Sequence, residues 1–393
     1  MTDLTTGADA SAVRRWNERV VVEAMTGRRH LRVAEVAALT GLTAASSRDV
    51  LRSLEAKGWI RAAEPERVGM GRPARTFELR DPPARVLGVD VGGHTVRAVL
   101  LAPDGTIEPL SQVDIGAPRD RIESTLAAIR AAIVPARKHD VWMTGLALSG
   151  AIDDAGTVTR SVALPHLEGA SAPRAFEGVL PGRLLICHDT RAALWAETTI
   201  GDVAGTPHVM LVHLGRRPSI ALMLNGQTYF GAHGTAGDLS LTELIPPWEQ
   251  ASSTAQPSDD AVGDMLRAAV SGDPGAVEAT RRFFRAITPQ LAFATALVDP
   301  AAIVIAGALA PVVRDIVGEF RTALASRVQH LPRVEVSTLD EYAVASGAAL
   351  LARAQLRELL VDAPDGVAPL VKSSVTAGLP EVLMRRRVPA PTR

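Results

Sequence analysis

Apolar positions in the first eighty residues recur with helical spacing and then give way to short extended runs. Val13, Trp16, Val20, Val21 and Ala24 fall largely on one face of a helix over residues 12–25, which Gly27 ends. Val33, Val36 and Ala37 supply a second, shorter face. Thr40-Gly41-Leu42 then makes a tight turn, and Thr43 is placed to cap a third helix. In that helix Val50, Leu51 and Leu54 point inward, while Ser46, Ser47, Arg48 and Arg52 are expected to point outward. Gly58 stops the helix and Trp59-Ile60 begins a short strand. The stretch "RVGMGRPARTFELR" reads as a glycine- and arginine-rich hairpin tip leading into a strand over residues 76–79.

Asp81-Pro82-Pro83 marks a stiff linker, centred on residues 82–84, after which the pattern changes. Val86–Val89 and Val96–Leu101 read as buried strands joined through Asp90, Gly92 and Gly93, a turn in which glycine lets the backbone approach an anion. Further along come "VWMTGLALSGAIDDAGTV", a strand running into a Ser-Gly loop, and "LLICHDTRAALWAE", a strand, a polar turn and a helix. "HVMLVHLGRRPSIALMLNGQTYFGAHGTAGDLS" reads as a hairpin followed by a glycine-rich loop. A helix is expected around residues 281–297, a strand at Ile303-Val304-Ile305 with a turn at Ala306-Gly307-Ala308, and a closing helix over 343–358. Residues 361–393 hold prolines and three consecutive arginines without periodicity, and read as a tail that is mobile or packed on a partner, as residues 1–10 read as a flexible start.

The 393 residues suffice for two or three domains. Net charge is −1, yet residues 11–80 hold fourteen Lys/Arg against eight Asp/Glu, so this segment is the one suited to a polyanion. Two readings compete for it. One is a helical interaction domain with a solvated basic face. The other, favoured by the turn, the capped helix and the Gly-Arg tip in one compact stretch, is a DNA reader. It would place Thr43, Ser46, Ser47, Arg48 and Arg52 in a major groove and Arg72 and Arg75 in a minor groove. Cys187 is the single cysteine, which excludes a disulfide framework and a cysteine-based metal cluster within one chain. No window of eighteen apolar residues and no signal-peptide pattern occurs, so a cytoplasmic protein without membrane contact is expected.

Residues 11–81 resemble the winged helix-turn-helix of bacterial repressors, and the order of motifs over roughly 85–358 resembles the ROK family of repressors and sugar kinases. That resemblance implies an N-terminal winged helix-turn-helix (α+β) followed by a two-lobed α/β actin-like sugar-kinase domain over 85–360. One lobe would comprise about 85–200 with 340–360, the other 201–339. In the family's kinases an Asn-Asp pair meets the sugar, the Asp acting as base, and this chain has His188-Asp189 there. A carboxylate at that place can take a hydroxyl proton, bond a ligand, or cap the helix near Thr190.

Several family motifs are altered. The first phosphate turn reads Gly92-Gly93-His94 in place of Gly-Gly-Thr. The second reads Leu214-Gly215-Arg216-Arg217-Pro218 where glycines are usual, and Pro218 removes an amide donor. The sugar-contact segment reads Gly237-Asp238-Leu239-Ser240-Leu241, and Ala163 replaces an expected asparagine. Arg216 and Arg217 either hold the phosphate of a sugar phosphate or form a solvated pair at a hairpin tip. The resemblance with these departures implies a regulator, of repressor type, for carbohydrate uptake or use. It would act as a homodimer or homotetramer on an inverted-repeat DNA operator, with a sugar or sugar-phosphate effector, no cofactor and no catalysis. An active ATP-dependent sugar kinase and a ligand-independent DNA-binding protein are the alternatives. The zinc-binding cysteines of many family members are missing between Pro246 and Asp260. Metal analysis of the purified protein is therefore expected to find no tightly held zinc, and about one zinc per chain would contradict this.

Overall fold

The structure is a computed structural model that describes residues 10–26, 28, 30–63, 75–80, 83–116, 120–153, 155–215, 218–239, 266–361 and 382–384. The N-terminal module holds α1 (Ala10–Met25), β1 (Leu31–Arg32), α2 (Val33–Thr40), α3 (Ala44–Ala56), β2 (Ile60–Ala63) and β3 (Thr76–Leu79). Its three strands form an antiparallel sheet in the order β1-β3-β2, so a helix-turn-helix is followed by a wing hairpin. The α2–α3 turn rests on Gly41 at φ +70°, where glycine carries no steric cost. Thr43 caps α3 as the sequence predicts: its hydroxyl accepts from the Ser46 amide at 3.1 Å.

Two expectations for this module change. The buried face of α1 runs through Glu18, Val21, Val22 and Met25, leaving Val13 and Trp16 at 45% and 64% exposure. In α3 the buried face is Ser47, Val50, Leu51 and Leu54, so Ser47 points into the core instead of outward. Both faces have i, i+3, i+4, i+7 spacing, but each has a polar residue on its first position. Glu18 is tolerated there because it accepts the Ser53 hydroxyl at 2.6 Å and the Lys57 ammonium at 2.7 Å, fastening α3 to α1.

The large domain contains two sheets. Elements of the first are β4 (Arg85–Val91), β5 (Thr95–Leu101), β6 (Ile107–Asp114), α4 (Ile122–Ala132) and β7 (Val141–Leu148). The small pair β8 (Ala151–Ile152) and β9 (Val158–Arg160), the short α5 (Ala172–Ala175), β10 (Arg183–His188) and α6 (Asp189–Thr199) follow. The second lobe holds β11 (Val209–Leu214), β12 (Pro218–Leu224), β13 (Gln227–Tyr229), α7 (Pro274–Val298), β14 (Ala302–Ala306), α8 (Ala310–Arg314), α9 (Val317–Ala325) and β15 (Arg333–Val336). Then α10 (Ala343–Val361) returns to the first sheet, and β16 (Val382–Met384) joins its edge. The first sheet runs β16-β10-β7-β4-β5-β6 and the second β13-β12-β11-β14-β15, each an antiparallel hairpin unit extended by parallel strands. The pairing of β16 with β10 differs from the expectation of a tail outside the fold.

Helix α10 holds these parts together. Gly88 of β4 and Gly145 of β7 lie side by side in register, and a Cβ on either would come within 2.1 Å of a carbonyl of Ala345 or Ala348. The helix meets the sheet through Ala345, Ala348, Ala349 and Ala352, all fully buried. On its other side Gly347 touches α6, where a Cβ would stand 1.8 Å from the Ala192 carbonyl oxygen. The same apolar cluster continues through Leu356 and Leu359 to Val21, Met25, Leu54, Trp59 and Phe77 of the N-terminal module. Arg19 of α1 adds an ion pair to Glu358 of α10 at 3.2 Å. Among the described residues, no helix is long and apolar enough to cross a membrane.

Gly347→Ala weighs two effects against each other. Alanine gains about 1 kcal/mol of helix propensity, but the added methyl meets backbone, which cannot swing aside as a side chain can. We expect a net loss of about 1–3 kcal/mol, read as a lowered urea midpoint. An unchanged or raised midpoint would show that the two helices have room to separate.

Candidate functional site

On the N-terminal module the outer side of α3 carries Thr43, Arg48, Asp49 and Arg52, all exposed, with Ser46 partly so. Arg52 lies 3.3 Å from Asp49, an exposed pair that holds it only weakly. Arg75, at the foot of the wing, bonds Glu55 of α3 at 2.6 Å and lies 5.0 Å from the centroid of the Phe77 ring. It thereby ties the wing to the helix end, a role the sequence did not reveal. Arg72 lies outside the described residues.

The second candidate site is the cleft where the β10–α6 junction of one lobe faces the β12–β13 hairpin and the loop 230–239 of the other. Gly92 closes the β4–β5 turn by donating to the Thr95 carbonyl at 3.0 Å. Gly93 is required by packing: a Cβ there would lie 2.9 Å from the Ala163 carbonyl oxygen. In the second hairpin Leu214 pairs directly with Pro218, so three residues make the connection. Arg216 and Arg217 lie in it, outside the described residues.

Asp189 is the first residue of α6, and the preceding His188 is the cap. The Asp189 Oδ1 accepts the Thr190 amide at 2.6 Å and lies 2.9 Å from the His188 Nδ1. The Thr190 amide also lies 3.2 Å from the His188 Nδ1, so the ring either accepts from that amide as the cap or, with its proton on Nδ1, donates to the carboxylate, which then serves the amide alone. Burial acts to raise the Asp189 pKa, but the charge and hydrogen bond of His188, the charge of His213 and the Ser149 hydrogen bond outweigh it. The group is held well below the ordinary carboxylate range. A carboxylate so stabilised is a weak base.

Asp90, in β4, behaves in the opposite way. Burial, and the negative charge of Asp189 beside it, raise its pKa to about 7, with Arg97 at 3.8 Å opposing. Two neighbouring carboxyl groups are thus pushed apart, one ionised and one largely protonated below neutrality. Cys187 is pushed up to about 12 by burial, which leaves an inert thiol, and burial lowers the pKa of His213.

A small recess, partly open to solvent, lies in the cleft between Ala151, His188, Arg191, Ile220, Gly234, Thr235, Ala236 and Asp238. His188 and Asp238 therefore meet in one place, whereas Asp90, Gly92, Gly93 and Asp189 are not on this wall. Arg191 is the residue that sequence reasoning missed. Its Nη2 donates to the Gly234 carbonyl at 2.6 Å across the cleft, and its guanidinium carbon lies 4.7 Å from the centroid of the Phe230 ring. The signal was present in "HDTRAALWAE", since an arginine in the first turn opposes the helix dipole and calls for a local reason. A second bridge joins the lobes where the Thr190 and Ser219 hydroxyls lie 2.7 Å apart. Among the described residues no cluster of His, Cys, Asp and Glu has the geometry to hold a metal ion.

The ROK family model matches residues 86–246 and 248–355, which is most of the chain. The chain belongs to the ROK family. A ROK transcriptional regulator described as a homologue of the E. coli MLC protein superposes with a TM-score of 0.67 at 19% identity, covering 93% of this chain and 100% of its own. A ROK glucokinase from Streptomyces griseus, solved with glucose and AMPPNP, superposes with a TM-score of 0.57 at 24% identity, covering 69% of this chain and 99% of its own. An uncharacterised Sinorhizobium fredii protein, y4fQ, is 26% identical over 310 residues, covering 75% of this chain and 78% of its own. The fold of this ROK chain is thus shared by regulators and kinases alike.

The coupled carboxyl groups give a pH signature. Because the Asp90 pKa is higher in the folded protein than its ordinary 3.8, its contribution is fully present below about pH 4 and is lost as pH rises through about 7. Asp189 has the reverse sign and loses its contribution as pH falls below its ordinary value. Asp90→Asn should therefore gain stability relative to the parent protein between about pH 4 and 7, levelling off above. Parallel profiles in urea melts across that range would contradict the assignment.

Proposed function

We propose that this ROK protein is a sequence-specific DNA-binding transcriptional regulator of repressor type, controlling genes of carbohydrate uptake or use. The observation that carries the reading is the N-terminal winged helix-turn-helix packed on α10, with the glucokinase covering 69% of the chain. The regulator, by contrast, covers 93% of the chain. DNA contact is assigned to the outer side of α3, with Arg48 reading base edges, Thr43, Ser46 and Arg52 alongside it, and the wing arginines Arg72 and Arg75 in the minor groove, Arg75 exchanging its Glu55 partner for the DNA. Ser47 is excluded from that set by its burial. Two copies, as a homodimer or within a homotetramer, would meet an inverted repeat with half-site centres about 10 base pairs or a multiple apart. The protein would work in the cytoplasm.

The interlobe cleft is the effector site in this reading, for a sugar or a sugar phosphate, and His188 and Asp238 on its wall are the ligand contacts. The opening to a phosphoryl donor is the part we assign as lost. Phosphoryl transfer depends on positioning every phosphate and proton at once. Here Gly93 serves packing, Pro218 withdraws an amide, and Asp189 is engaged by His188 and Thr190.

Two outcomes are expected. Arg48→Ala should reduce the discrimination between operator and random DNA by about 1–3 kcal/mol in gel shifts at fixed salt, with the fold intact. Unchanged discrimination would remove Arg48 from the interface. Incubation with ATP and a panel of hexoses should give no sugar-dependent ATP turnover, and turnover abolished by Asp189→Asn would favour the kinase instead.

A further inference from the structure

The cleft of this chain is bridged by its own side chain. Arg191 starts from α6, whose Ala193 and Leu194 pack against the second sheet, and ends on the loop 230–239, hydrogen-bonded to the Gly234 carbonyl and stacked on Phe230. Local helix physics does not put it there, since a cation in the first turn opposes the helix dipole. Nor is it a floating surface arginine. Burial works against its charge, and the carboxylates of Asp189 and Asp238 compensate. Its Nη2 is held by the Gly234 carbonyl, and the same side chain lines the recess in the cleft. The receiving loop is folded tightly: Gly237, at φ +84°, lies so close to β12 that a Cβ would stand 1.9 Å from the Ile220 carbonyl oxygen. The Ile220 amide of β12 in turn donates to the Gly237 carbonyl at 2.9 Å.

We infer that Arg191 is an internal latch that holds the loop 230–239 against α6 without a ligand, and that an effector acts by displacing the guanidinium from Gly234. One hydrogen bond and one cation–π contact are weak enough to be exchanged for contacts to a ligand, yet both join the loop to α6 and both are lost when the loop lifts. The latch itself stands on geometry. Its regulatory meaning rests on the cleft being the effector site, as read above, because α6 packs on α10 and α10 carries the DNA-binding module.

The test compares the full-length protein with Arg191→Ala and Arg191→Lys by amide hydrogen exchange, without added ligand. The reporters are the Ile220, Ala236 and Asp238 amides, which donate to Gly237, Phe230 and Thr235. In Arg191→Ala they should exchange at least about tenfold faster, with Arg191→Lys intermediate, while β4, β7 and β14 keep their protection. Unchanged reporters, or acceleration spread evenly over the core, would overturn the latch. Operator affinity of the same variants is read separately. A shift of several-fold in Arg191→Ala supports the regulatory role, and identical affinity overturns it. Failure of the parent protein to bind any operator would strike the functional reading, while the exchange data would still decide the latch.

Discussion

The close approach of α10 to its neighbours is the constraint on which the rest of the molecule depends. A helix can lie this near a sheet only where side chains vanish, and here glycines in β4 and β7 stand in register beneath a helix face made of alanines. Gly347 repeats the device toward α6. Packing of backbone on backbone permits little sliding, because interiors at crystal-like density have few voids to take up a displacement. Three functional parts consequently share one rigid piece: the first sheet, the β10–α6 junction at the cleft, and the N-terminal module resting on the far end of α10.

That arrangement explains how one scaffold serves two kinds of protein. In a kinase the cleft has to hold a donor, a sugar and a base in mutual register. In a regulator it has only to exist in two shapes whose difference reaches the DNA-binding module. Glu18 and Arg19, adjacent in α1, express this division of labour. Glu18 turns inward to fix α3 through Ser53 and Lys57, while Arg19 turns toward Glu358 of α10. Helix α3 is thus joined through α1 to α10, and α10 through α6 to the cleft.

Much of this was legible in the sequence, because most elements obey a single rule. Apolar periodicity located the helix-turn-helix, Thr43 announced its cap, and the Asp-Gly-Gly turn lay between two runs too apolar to be anything but buried strands. The misreadings share a cause. Glu18 and Ser47 occupy core positions that only tertiary partners or close packing permit, so the buried face of α1 was read as including Trp16, and Ser47 was placed outside an otherwise correctly read α3 face. The cleft was harder to read, since its decisive residue, Arg191, is defined by partners forty residues away in the other lobe. No local pattern carries a contact to Gly234 and Phe230. The strand at 382–384 was missed for a similar reason, three residues being too few to show a period.

The central claim is that a ROK scaffold here serves to place a DNA-reading helix, and selection from random duplex DNA tests it most directly. Full-length protein at fixed, near-physiological salt should enrich an inverted repeat whose half-sites are centred about one helical turn, or a whole multiple of it, apart. Enrichment of no sequence over successive rounds, with binding that tracks salt alone, would contradict the account.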